Sequence, residues 1–131
     1  MRVLALDWGE VRIGAAISDE EGKFAFPLNE PIPASNAITE IQKLISEKQV
    51  EKILVGNPKS LSGQESESSK RVSVFVEMLN QTGIPIELID ERFSTVGAEK
   101  ILKDQGMKEK KQREIKDNIV AQQMLQQYLN K

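Results

Sequence analysis

Apolar and polar positions along this chain follow two periods, and the switches between them mark its elements. Val3 to Leu6 is almost wholly apolar and ends on an acid, Asp7. Ile13 to Ile17 repeats the apolar run after W-G-E-V, a connection short enough for a hairpin, so the first two strands are expected to pair antiparallel. Phe24 to Leu28 supplies a third strand after the turn E-E-G-K. Pro27, Pro31 and Pro33 then interrupt the pattern, and Ser35 is placed to cap a helix carrying Ile38, Ile41 and Ile45 on one face. Lys52 to Gly56 is apolar on both faces, as a central parallel strand would be. The stretch N-P-K-S-L-S-G-Q-E-S-E-S-S is rich in turn residues and reads as a loop. Helical spacing resumes at Val72, Phe75, Val76 and Leu79 and stops at Gly83 and Pro85. Ile86 to Ile89 is a fifth strand. D-E-R-F-S-T then opens another helix, capped by Ser94 or Thr95, with Ala98, Ile101 and Leu102 facing inward.

This order predicts an α/β fold, a five-stranded mixed sheet flanked by helices. Right-handed crossovers place strands four and five parallel to the first. Neither an internal repeat nor a linker divides the 131 residues, so one domain over 1–131 is expected.

Composition narrows the chemistry. The chain has no cysteine and no histidine. That excludes disulfides, thiolate or imidazole metal sites, cysteine nucleophiles and the Ser-His-Asp arrangement. Acid–base or metal chemistry must rest on Asp, Glu, Lys and Tyr. No apolar run approaches the roughly 20 residues that cross a bilayer, and no signal-peptide pattern is present, so a cytoplasmic protein without a membrane role is expected. Net charge is −2, yet Lys100 to Lys116 holds seven basic residues against three acidic ones. Such a patch suits a phosphate backbone, and equally a solvated lysine-rich surface.

The final segment, K-D-N-I-V-A-Q-Q-M-L-Q-Q-Y-L, carries the most geometry. At roughly 100° per residue, Ala121, Met124 and Tyr128 return to the direction of Asp117, flanked by Val120, Leu125 and Leu129. Gln122, Gln123, Gln126 and Asn130 fall on the far side. Asp117 therefore occupies the core-facing stripe, or else lies at the helix start, where an acid favours the positive end of the dipole. Asp7 ends the first strand, Asp90 and Glu91 end the fifth, and Gly56 and Asn57 end the fourth at the same edge. Ligands gather outside the carboxyl ends of such strands. Three carboxylates meeting there repel one another unless a cation lies between them. Oxygen ligands alone suit Mg²⁺ or Mn²⁺, and such sites serve phosphoryl transfer above other reactions.

These residues also carry a resemblance. L-D-W-G-E-V-R-I-G-A-A-I-S-D resembles the opening block of the YqgF/RuvX family. I-L-V-G-N-P-K-S-L-S-G-Q, I-D-E-R-F-S-T-V-G-A-E and D-N-I-V-A-Q-Q-M-L-Q-Q-Y-L resemble its later blocks, in order and with suitable spacing. The resemblance spans nearly the whole chain. It implies an RNase H-like fold related to Holliday-junction resolvases, and a cytoplasmic nuclease assigned to maturing the 5′ end of pre-16S rRNA. Carried over position by position, it assigns the family's acidic residues to Asp7, Glu91 and Asp117, as catalysts and as ligands of two Mg²⁺ or Mn²⁺ ions. Asp7 would bridge the ions while Glu91 and Asp117 each complete one shell. Alternation cannot choose between Asp90 and Glu91, since both faces of the fifth strand are apolar; the resemblance selects Glu91. Asn57 and Lys59 stand where the family usually has leucines, Gly97 where an acid is common, and Val120 and Gln122 where small residues are usual. None of these removes a carboxylate, so they bear on substrate preference.

Arg12, Arg92 and Lys59 are candidate phosphate-binding groups, and Trp8 a candidate base-stacking one. Arg92 adjoins two acids and equally suits a structural pair. Ser60 and Ser62 share Lys59's loop. Asp19 reads as a turn former, and Gly9 and Gly14 as positions needing a tight backbone near Asp7. The expected partner is structured RNA, with branched DNA second, presented by a ribosomal precursor particle to a monomer or weak homodimer. Two other classes compete. D-x-G-x-x-x-x-G also resembles the first phosphate turn of the actin-like ATPases, but 131 residues supply only one of their two domains. A nucleic-acid-binding module that keeps the fold and cuts nothing is the nearer alternative.

Overall fold

The computed structural model describes residues 1–57, 67–90 and 109–130. Its strands are β1 (Val3–Asp7), β2 (Arg12–Ser18), β3 (Ala25–Pro27), β4 (Ile32–Pro33), β5 (Lys52–Asn57) and β6 (Ile86–Asp90). The helices are α1 (Ala37–Lys48), α2 (Glu67–Leu79) and α3 (Glu109–Leu129). The sheet runs β3-β2-β1-β5-β6, with β4 paired to the start of β2. β1 and β2 are antiparallel, whereas β5 and β6 run parallel to β1. All five expected strands and their directions are present.

Four local expectations are corrected. Ile32 and Pro33 form an additional two-residue strand, because a proline is tolerated on a sheet edge. Ser35 does not cap α1; it lies in a short 3₁₀ turn over 34–36, and α1 starts at Ala37 without a side-chain cap. α2 begins at Glu67, inside the stretch read as loop. α3 begins at Glu109, so Asp117 lies in its third turn and is no helix-start residue. The helix expected after Asp90 lies outside the described residues, as do positions 100–108 of the basic stretch 100–116.

Side chains alternate between the two faces of each strand, so each strand feeds two apolar layers. Leu4, Leu6, Ile13, Ile53 and Val55 pack with Ile41 of α1 and with Val72, Phe75 and Leu79 of α2. Val3, Ala5, Ala16 and Leu54 pack with Ala121, Met124 and Leu125 of α3. Small residues dominate the strand side of this second layer, so α3 lies close to the sheet. Its far end is pinned by Lys52, whose ammonium donates to the Tyr128 hydroxyl at 2.6 Å and pairs with Glu87 at 3.1 Å. The Tyr128 hydrogen bond, then the one to Glu87, raises the Lys52 pKa.

Candidate active site

Asp7 is placed by strand alternation. Val3 and Ala5 belong to the layer under α3, and Asp7 has their parity. Its partner across the β1/β2 ladder is Gly14, and directly opposed residues point to the same face. A Cβ built on Gly14 would collide with the Asp117 backbone carbonyl and come within 2.6 Å of the Asp117 Cβ. Only a residue without a side chain lets α3 descend onto β2 here. Paired Cβ positions lie roughly 4.5–5.5 Å apart, so the Cβ atoms of Asp7 and Asp117 are separated by roughly 8 Å at most. Two acids 110 positions apart thus share one sheet edge, each half-buried. Gly9 serves the same edge, since a side chain there would strike the Arg12 carbonyl and open the β1–β2 turn.

Arg12 faces the same layer two residues before Gly14. Its Nε lies 3.5 Å from Asp117 Oδ2, with the two side chains 39% and 36% exposed. At that exposure solvent screens the pair, which contributes little to stability. Its consequence is positional: a guanidinium, suited to binding phosphate oxygens, stands beside the acid.

The residue that sequence reasoning missed is Asn118. It is fully buried. Its Oδ1 accepts from the Ala15 N–H at 2.8 Å, and its Nδ2 donates to the Leu28 carbonyl at 2.8 Å. Leu28 N–H in turn donates to the Ala15 carbonyl. The amide locks α3 to the sheet one residue beyond Asp117. An asparagine surrounded by apolar helix positions was the available signal, because a buried amide must find partners. A related correction concerns the glutamines placed on the far side of the helix. Gln122 donates to the Ala25 carbonyl, while Gln126 accepts from the Ala25 N–H and donates to the Lys23 carbonyl. Asn118, Gln122 and Gln126 recur every fourth residue: the first bridges β2 and the residue after β3, and the two glutamines satisfy backbone groups along the open edge of β3.

Of the remaining candidates, Trp8 is half-buried against the α1/α2 layer and lines a groove there. Asp19 is the expected turn former. Its carboxylate accepts from the Lys23 and Phe24 N–H groups, and the Lys23 bond above all lowers its pKa. The backbone of Asp90 pairs with that of Asn57 at the ends of β6 and β5. Lys59, Ser60, Ser62, Glu91, Arg92, Ser94, Thr95 and Gly97 lie outside the described residues. Among the described residues no group of three or more acids assembles that could hold a metal ion. Among them, too, no helix is long and apolar enough to cross a membrane.

The mixed sheet, with one acid ending β1 and another on the last helix above it, is the fold of the RNase H-like resolvases. Thermus thermophilus RuvC, solved in complex with a Holliday junction substrate, superposes with a TM-score of 0.60 at 12% identity, covering 98% of this chain and 94% of that one. A Fowlpox virus resolvase, also solved with junction DNA, gives a TM-score of 0.60 at 15% identity over 100% of both chains. The chain belongs to the RuvX family, described as Holliday junction resolvase, whose model matches residues 1–131. Relatives named "Putative pre-16S rRNA nuclease" come from Dictyoglomus thermophilum, 38% identical over 99% of this chain and 96% of the relative, and Chloroflexus aggregans, 39% identical over 98% and 92%.

Proposed function

We propose that this protein is a divalent-metal-dependent endonuclease that matures the 5′ end of pre-16S rRNA in the cytoplasm, working as a single domain. The convergence of Asp7 and Asp117 on either side of Gly14 carries the reading. The names of its curated relatives support the substrate.

The donor set fits Mg²⁺ or Mn²⁺: carboxylate oxygens at one edge, in a chain without histidine or cysteine. Asp7 and Asp117 would hold such ions, and Glu91 would complete the set. Glu91 is preferred to Asp90 as the third ligand on the family resemblance alone. When bound, the ions supply an activated water and charge neutralisation on a phosphodiester. The protein's own task is placement. The Ala15–Asn118 bond fixes the height of Asp117 over β2, and Arg12 offers its guanidinium to a phosphate oxygen beside that acid. Arg92 and Lys59 are the other proposed phosphate contacts.

A second reading, a resolvase acting on branched DNA, is favoured by the family description and by the junction-bound solved relatives. Incubating the protein with a pre-16S 5′-leader RNA and with a four-way DNA junction, in Mn²⁺ and in EDTA, separates them. Metal-dependent cleavage of the RNA alone is expected. Cleavage confined to the junction would replace the first reading with the second, and binding without cleavage of either would remove both.

A further inference from the structure

On the sheet face opposite α3, an apolar groove of about 270 Å³ opens beside the candidate site. One wall is Trp8 with Ile13. The other is a face of α2, where Arg71, Val74, Phe75 and Met78 recur at the i, i+3, i+4, i+7 spacing of neighbouring helix positions. Phe75 is buried, but Val74 and Met78 remain 59% and 43% exposed. α2 therefore carries a second apolar stripe beyond the one the core consumes. Among the described residues its lining includes no acid and one charged group, Arg71, which ion-pairs with Glu10 in the β1–β2 turn.

We infer that this groove takes one unpaired nucleobase, from the strand whose phosphate lies at Asp7 and Asp117. The inference rests on the nuclease reading and specifies its substrate as locally single-stranded. Three observations select that occupant. Apolar walls with one cation suit a flat uncharged ring attached to an anionic backbone. The volume is below the roughly 300–1,000 Å³ of pockets for drug-sized ligands, which leaves room for one ring system. Trp8 directly follows Asp7, and alternation sends the two side chains to opposite faces of one edge. A strand crossing that edge presents a phosphate on one side and a base on the other. A base held in a duplex cannot reach the groove without unpairing.

Trp8 is the chain's single tryptophan, so its emission reports on the groove directly. The titration is run in EDTA, which separates base binding from cleavage. It uses a five-nucleotide single-stranded RNA, the same chain lacking bases, and a blunt duplex of the same sequence. The single strand is expected to quench Trp8, the abasic chain to bind on the order of 10-fold more weakly, and the duplex to leave emission unchanged. Val74→Gln with Met78→Gln, both exposed and neither altering charge, is expected to weaken single-strand binding by a similar factor. Failure of the single strand to bind, binding without quenching, or wild-type affinity in the double variant would each overturn the inference. So would self-association of the free protein that the double variant abolishes, which would assign the groove to a second copy of this chain. Quenching without metal-dependent cleavage would leave the groove as a base site and remove the nuclease. Cleavage without quenching would do the reverse.

Discussion

At position 14 a single methyl group would occupy the space through which α3 reaches the sheet. The obstacle is backbone, the Asp117 carbonyl, so no rotamer change relieves it. Gly14→Ala is expected to destabilise the fold by about 1–3 kcal/mol, the usual range for overpacking, read as a lower urea midpoint. It should also reduce metal-dependent cleavage by more than the lost folded fraction explains, because the helix must lift Asp117 away from Asp7. Asp19 is the other residue with a distinct signature. Its folded pKa lies below the ordinary value of 3.8, chiefly through the Lys23 N–H. The bonded carboxylate therefore stabilises the fold above the unfolded pKa, and that contribution is lost as pH falls through the lower, folded value. Asp19→Asn should flatten the fall of stability below about pH 4, measured by urea unfolding across that range.

Among the elements, α3 shows how far a pattern reads and where it stops. Its periodicity identified Ala121, Met124 and Leu125 as core, and all three are buried. The same wheel assigned Gln122 and Gln126 to water. A wheel gives the angle of a side chain but not what stands opposite, and here that is the unpaired edge of β3. Asn118 was invisible for a related reason, since its partners, Ala15 and Leu28, lie 103 and 90 positions away. Replacing it with alanine leaves a buried N–H and a carbonyl without partners, each costing about 1–3 kcal/mol. Asn118→Ala should therefore lose about 2–6 kcal/mol in denaturant unfolding. A loss below about 1 kcal/mol, the worth of an ordinary hydrogen bond, would mean that the helix is held by its apolar face alone.

For the whole molecule, the strands along the chain and their directions were legible because apolar runs, tight turns and crossover handedness leave few alternatives, whereas their order within the sheet was not read. Two of the three candidate acids could be singled out as well: Asp7 from an acid ending an apolar strand, Asp117 from an acid inside an apolar stripe. What could not be read was how the two meet. Their meeting depends on cross-strand register, Asp7 opposite Gly14, and on the packing of a helix 103 residues further along. The role proposed for Glu91 rests on resemblance, and those of Arg92 and Lys59 on their cationic side chains. The central claim is that Asp7 and Asp117 form one metal-holding site for phosphodiester cleavage. Its most direct test is the initial rate at which Asp7→Asn cuts pre-16S 5′-leader RNA in Mn²⁺, beside wild type and with circular dichroism verifying the fold. The account predicts a well-folded variant whose cleavage falls by at least about 100-fold, as removal of a group acting on the reacting atoms requires. A folded Asp7→Asn protein cutting at the wild-type rate would contradict it.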